Sequence, residues 1–224
     1  MASAKQALVI LVGITADEMK RTSVGRYFER NSDYDVYVPN MPQRFGVRVC
    51  SWWLRRYLRD TVQVDTYDRV NFLNYVSGGI IFRRELSRRS LANIGRVVYD
   101  RGPIQEEVPR ALVRKYTWFL MSLFKSHMIA DVAGKWIYRL PYPLSMGEQG
   151  LMIELGTSLM AHDLGINEED IPAEAWDPEF MLPGADDVTR RSESHDDVYS
   201  SLAFLSFALR FFETGKFAEV ADPG

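Results

Sequence analysis

One stretch, VNFLNYVSGGIIFR (residues 70–83), decides the fold of this chain. Its first part, Val70 to Asn74, is apolar enough to predict a short buried strand. Ile80 to Leu86 then follows the pattern of a helix. Only a short segment ending in Val76-Ser77-Gly78-Gly79 joins the two. The sequence therefore predicts that a strand runs almost directly into a helix.

Segments on both sides of this stretch repeat the alternation of strand and helix. Further strands are predicted at Ala7 to Val12, Asp35 to Val38, Ile94 to Tyr99, Leu151 to Leu155 and Val188 to Ser192. Helices are predicted at Ser23 to Arg30, Ser51 to Leu58, the aromatic-rich residues 107–140, and Asp197 to Glu213, with Gly215 as a stop. This alternation favours the α/β class, with a mostly parallel sheet flanked by helices.

Composition limits both the architecture and the function. The chain has 224 residues, of which 46% are hydrophobic, so it suits one domain with a large core. A net charge of -3 argues against a general nucleic-acid binder. Cys50 is the single cysteine and only three histidines are present, which argues against a disulfide framework and a metal centre. No cofactor is expected.

No apolar run approaches the roughly 20 residues that a membrane-spanning helix needs. The first residues also lack the charged and apolar regions of a secretory leader. We therefore expect a cytoplasmic protein without a transmembrane segment, in which Cys50 is a reduced thiol.

The 70–83 stretch resembles the nucleophile elbow of the lipase-type α/β-hydrolases, in which a strand leads into small-x-Ser-x-Gly-Gly and a helix. Other segments resemble pieces of that family in the same chain order: Leu8 to Gly13, Tyr37 to Pro42, Gly102 to Gln105 and His195 to Tyr199. The resemblance spans roughly residues 7–215. It implies a single α/β-hydrolase-like domain over residues 1–224, with a helical cap insertion at about 107–147.

The departures from the family pattern bear on activity. In the register without gaps, Val76 occupies the nucleophile position, and valine has no hydroxyl to activate. Asn74 replaces the small residue two positions earlier, and Val12 replaces the histidine of the family's His-Gly. Because no hydroxyl needs to be presented, we also expect a relaxed turn in which Val76 has negative φ.

The resemblance implies candidate site residues beyond the elbow. His195 takes the position of the catalytic base, although a surface loop histidine fits equally well. Asp170 is the first candidate for the acid, ahead of Glu168 and Glu169, and all three also suit a solvated acidic loop. If the scaffold is retained, we expect His195 to face Val76 and to bond an acid from residues 168–170.

Ser77 is the one hydroxyl within the elbow. A shift of the turn by one residue would make it the nucleophile, but it also suits the first turn of a helix, which we favour. Gly13, Ser77 and Gly78 are the residues expected to form the oxyanion and elbow region. The adjacent Asp186 and Asp187 are weak evidence for a cation site.

Three hypotheses for function follow. The leading one is a non-hydrolytic binding or interaction protein that takes a small acyl or ester ligand. Its rival is a serine carboxylester hydrolase that uses Ser77, His195 and an acid from residues 168–170. The third is a structural subunit whose 107–147 segment covers a protein partner or a second copy. Aromatic residues of that segment (Tyr116, Trp118 and Phe119 among them) fit a core better than an acyl pocket.

Overall fold

A computed structural model describes residues 4–14, 16–89, 91–100, 116–123, 125–133, 140, 147–154, 182, 184–191, 193 and 197–217. Its centre is a six-stranded sheet in the order β2-β1-β3-β4-β5-β6. The strands are β1 (Gln6–Leu11), β2 (Asp35–Tyr37), β3 (Arg69–Tyr75), β4 (Ile94–Asp100), β5 (Gln149–Glu154) and β6 (Asp187–Arg191). Every pair of neighbours is parallel. The expected α/β class with a parallel sheet is therefore confirmed, and each predicted strand lies within two residues of its position.

Helices cover both faces of the sheet. The helices are α1 (Glu18–Asn31), α2 (Val47–Tyr57), α3 (Ser77–Leu86), α4 (Met128–Ala133) and α5 (Leu202–Thr214), and residues 116–123 are also helical. Short 3-10 turns lie at Gln43–Phe45, Val64–Thr66 and Asp197–Tyr199, and a π turn at Leu58–Val62 follows α2.

Capping residues explain two of the predicted helix starts that are wrong. Helix α1 begins five residues earlier than expected, because the Asp17 side chain accepts a hydrogen bond from the Lys20 N–H and caps the first turn. The last helix begins at Leu202 instead of Asp197, because Ser201 caps it by accepting from the Phe204 N–H. Gly215 ends it with a φ of 78°, as predicted.

The expectation of one continuous helix over residues 107–140, with aromatic side chains in the core, is wrong where the structure describes it, although Met128 is a core residue. Residues 125–127 are not helical, and Lys125 has a positive φ of 47° between the 116–123 helix and α4. Trp118 is 85% exposed and Phe119 65%, so these side chains are not core residues. The cap insertion at 107–147 stays a prediction.

The core consists of two layers that share the sheet. Ala7, Val9 and Leu11 of β1 point to the layer with α2 and α3, whereas Leu8 and Ile10 point to the layer with α1 and α5. Because both faces are covered, β1 is apolar from Ala7 to Leu11, which is typical of parallel sheets. Cys50 lies in the first layer, and its burial, together with Asp131, raises the pKa of the thiol to about 12.

The order of the strands indicates at which end of the sheet a ligand site is expected. From β1 the chain crosses to β2 on one side, and it then returns to form β3 on the other side of β1. The two crossovers place α1 and α2 on opposite faces, so the carboxyl ends of β1 and β3 open into a crevice. Such a switch point is where open α/β sheets bind ligands.

Contact between α3 and β1 depends on Gly78. A Cβ on Gly78 would lie 2.1 Å from the carbonyl oxygen of Leu11, whereas a Cβ on Gly79 would lie 3.6 Å from the nearest atom, Tyr99 Cδ1. We predict that Gly78→Ala lowers the free energy of unfolding by about 3 kcal/mol or more, because the helix must move off the strand.

Gly79→Ala is the matched control for this prediction. It adds the same methyl group one residue later and should be neutral or stabilising by up to about 1 kcal/mol, since alanine favours a helix. Urea unfolding of both variants measures the difference. Equal stabilities for Gly78→Ala and Gly79→Ala would contradict the close approach.

Candidate functional site

Val76 makes the sharp turn between β3 and α3. Its φ of 37° and ψ of -106° lie outside the regions that L residues populate, and a β-branched residue is a clear outlier there. The Val76 carbonyl accepts hydrogen bonds from the N–H groups of Gly79 and Ile80, so the turn leads directly into the helix. The side chain is half-buried at the carboxyl end of β3.

The prediction of a relaxed turn is wrong. Val76 has a positive φ although it presents no hydroxyl, so the strain does not depend on catalytic chemistry. It has a packing cause, because α3 can return over β1 only if the chain reverses within one residue. Strain of this kind costs about 1–3 kcal/mol and persists where the surrounding structure enforces it.

Ser77 is the first residue of α3 and faces inward. Its side chain is buried, and its hydroxyl donates a 2.9 Å hydrogen bond to the Gln43 side-chain oxygen. The Gln43 amide nitrogen in turn donates to the carbonyl oxygen of Val12 at 2.9 Å. The Ser126 hydroxyl donates to the backbone carbonyl of the same glutamine. Gln43 thus ties together the ends of β1 and β3 and the segment before α4.

Gly13 lies beside the turn, and its backbone N–H forms a hydrogen bond. It donates to the hydroxyl of Tyr199 at 3.1 Å, and that hydroxyl lies 2.8 Å from where a Gly13 Cβ would be. The Tyr199 ring packs against Tyr75, with ring centroids 4.6 Å apart. Both rings are buried, and burial is the main cause that raises the pKa of Tyr75. A phenol therefore occupies the space next to Gly13.

A buried ion pair fastens the segment after β6 to the sheet. Arg191 donates through Nε to a carboxylate oxygen of Asp100 at 2.9 Å, and both side chains are almost fully buried. The same guanidinium donates to the carbonyl oxygen of Glu193, whose carboxylate accepts from the Ser201 hydroxyl. The ends of β4, β6 and α5 are joined by this network.

The crevice at the switch point contains a cleft of about 300 Å³. It is lined by Val12, Gly13, Ile14, Ala16, Arg21, Asn40, Met41, Pro42, Gln43, Arg44 and Ser126. A larger groove of about 1130 Å³ lies between α1 and α5, away from the turn. We take the smaller cleft as the candidate site, because it lies at the carboxyl ends of the strands and next to the strained turn.

Several predicted site residues fall outside the described part of the chain. His195, Asp170, Glu168 and Glu169 are among them, so the expected contact of His195 with Val76 stays a prediction. Gly13, Ser77 and Gly78 do lie together at the turn. Asp186 and Asp187 each accept a hydrogen bond from a backbone N–H, that of Gln149 and Phe217 respectively.

Within the described part, no three potential metal ligands lie together, and no helix is both long and apolar enough to cross a bilayer. Sequence reasoning missed the roles of Gln43, Tyr199 and the Asp100–Arg191 pair. None of them carried a clear signal in the sequence, and even the ion pair did not stand out, because β4 and β6 contain other charged residues.

Comparisons with known proteins identify the fold. No protein-family model matches the chain, and no curated protein matches it either. Among solved structures, the Bacillus licheniformis lipase BlEst2 is similar at a TM-score of 0.62 and 14% identity, covering 92% of each chain. The α/β hydrolase enzyme MGS-MChE2, from a Mar Chica lagoon metagenome, has a TM-score of 0.58 and 16% identity, covering 94% of this chain and 91% of that one.

A lipase-esterase related protein of Clostridium acetobutylicum gives the same result, with a TM-score of 0.56 and 10% identity over 94% of this chain and 95% of that chain. At these identities the similarity concerns the fold alone. The chain therefore has the α/β-hydrolase fold, as the 70–83 stretch predicted.

Strain at Val76 can be measured by replacing the residue with glycine, which tolerates positive φ. We predict that Val76→Gly costs about 1–3 kcal/mol less stability than Val36→Gly, since the substitution relieves the turn. Val36 is a suitable control because it is also a half-buried valine but lies in an extended strand, β2. The two free energies of unfolding in urea give the comparison, and equal losses would mean that the turn is not strained.

Proposed function

We propose that this chain is a non-hydrolytic member of the α/β-hydrolase fold that binds a small acyl or ester ligand. One observation carries the proposal: the residue at the strained turn is Val76, which has no hydroxyl. A serine hydrolase needs a nucleophile that a base can activate. The turn is retained here and the nucleophilic group is not.

The nearest hydroxyl does not supply a substitute. Ser77 is buried, and its proton is directed to Gln43 and not to a base. Activation would require the helix start to rotate, which would break the Ser77–Gln43–Val12 chain of hydrogen bonds. This favours the structural role for Ser77 over the rival esterase that would use Ser77, His195 and an acid from residues 168–170.

The composition of the cleft supports the ligand class. Val12, Ile14 and Met41 provide apolar wall, while Arg21 and Asn40 provide polar groups at the same opening. A volume of about 300 Å³ is at the lower end of ligand sites and suits a short chain. An ester or carboxylate with a short apolar tail matches both parts of the wall.

Binding and turnover can be tested together by NMR on protein labelled with ¹³C at its methionine methyl groups. During titration with ethyl hexanoate, we expect the Met41 methyl signal to shift while the ester stays intact. Met19 is the internal control, because it is 74% exposed and lines the groove between α1 and α5.

Two other hypotheses predict different results of this titration. Ester cleavage that disappears in Ser77→Ala would establish the esterase. A shift at Met19 with none at Met41 would move ligand binding to the other groove and overturn the proposed site.

A further inference from the structure

The outward side of α2 does not have the polar composition of an ordinary surface helix. The inward residues Val47, Cys50, Ser51 and Leu54 are buried, as an amphipathic helix requires. On the outward side, Trp52 is 53% exposed, Val49 40%, and Phe45, just before the helix, 50%. We call the residues Phe45, Arg48, Val49, Trp52 and Arg56 the α2 outer face.

This face also carries net positive charge. Residues 43–60 include five arginines and one acidic residue, Asp60. Asp60 pairs with Arg56 and Arg59, and Arg55 pairs with Glu85, so the arginines outnumber these carboxylates by five to two. Two guanidinium groups lie over the exposed rings, with Arg44 at 4.5 Å from the Phe45 centroid and Arg56 at 5.2 Å from that of Trp52. Positive charge and exposed aromatic surface are therefore combined in one place.

The 116–123 helix is a second segment with exposed apolar side chains, and it lies near the α2 outer face. In the 116–123 helix, Trp118, Phe119 and Leu123 are all more than half exposed. Three residues after Leu123, the Ser126 hydroxyl donates to the Gln43 carbonyl, which fixes this segment beside Phe45. A chain of three residues spans at most about 11 Å, so Leu123 lies close to the α2 outer face.

Three kinds of partner could cover this surface. A second copy in a symmetric dimer would oppose arginines to arginines, which charge repulsion disfavours. Nucleic acid would bind the arginines and stack on Trp52, but it would leave the exposed apolar side chains of Val49 and Leu123 without apolar contacts. Proteins that bind the surface of an anionic bilayer combine arginine with tryptophan, phenylalanine and aliphatic side chains. The α2 outer face has this composition.

We propose that the α2 outer face binds the surface of membranes that contain anionic phospholipids. Trp52, Phe45 and Val49 enter the headgroup region, and Arg48 and Arg56 contact the lipid phosphates. The adjoining cleft, which Arg44 lines, then opens next to the bilayer. This inference does not depend on the proposed ligand, because it rests on a different surface.

Co-sedimentation of the full chain with vesicles tests the proposal. We expect binding to vesicles of equal parts phosphatidylglycerol and phosphatidylcholine, little binding to phosphatidylcholine alone, and weaker binding as salt increases. Arg48→Gln and Arg56→Gln should each weaken binding about fivefold. Trp52→Ala should weaken it roughly tenfold, because the indole is lost from the interface.

Matched controls lie on α1 and α5, on the opposite face of the sheet. Arg30→Gln removes one exposed arginine, and Leu202→Ala removes a leucine that is 70% exposed, so neither should change binding. Urea unfolding shows whether each variant is folded. The proposal is overturned if the anionic vesicles do not bind, if the controls weaken binding equally, or if the α2 variants affect binding to single-stranded RNA only.

Discussion

The close approach of α3 to β1 is the constraint on which the rest of the site depends. Gly78 lets the helix backbone touch the Leu11 carbonyl, so the chain must reverse within one residue after β3. That reversal puts Val76 at positive φ and Ser77 at the buried start of the helix. The turn is therefore a consequence of packing between two layers, and chemistry is not needed to maintain it.

Because the turn depends on packing, it can persist whether or not residue 76 carries a hydroxyl. The hydroxyl of a catalytic serine contributes nothing to the contact between Gly78 and Leu11. Two polar groups beside Val76 are bonded within the molecule: Tyr199 accepts from the Gly13 N–H, and Gln43 joins Ser77 to Val12. These hydrogen bonds stabilise a buried region in which unpaired polar groups would be costly.

Most of the fold could be predicted from the sequence, because parallel strands buried on both faces leave continuous apolar runs such as Ala7 to Leu11. The first residues of the helices are harder to predict from the sequence, because they depend on single side chains such as Asp17 and Ser201. The conformation of Val76 was predicted wrongly, because local preference favours negative φ for valine and only the distant Leu11 carbonyl reverses it. Gln43 and Tyr199 gave no signal, since their partners are backbone groups far away in the chain.

The central claim is that the turn between β3 and α3 keeps its strained form without an activated nucleophile. Fluorophosphonate labelling of the wild-type chain, with any modified peptide mapped by mass spectrometry, tests it most directly, and Ser77→Ala provides the control. The account predicts no adduct within the turn of either protein. An adduct on Ser77 of the wild-type chain that disappears in Ser77→Ala would contradict it.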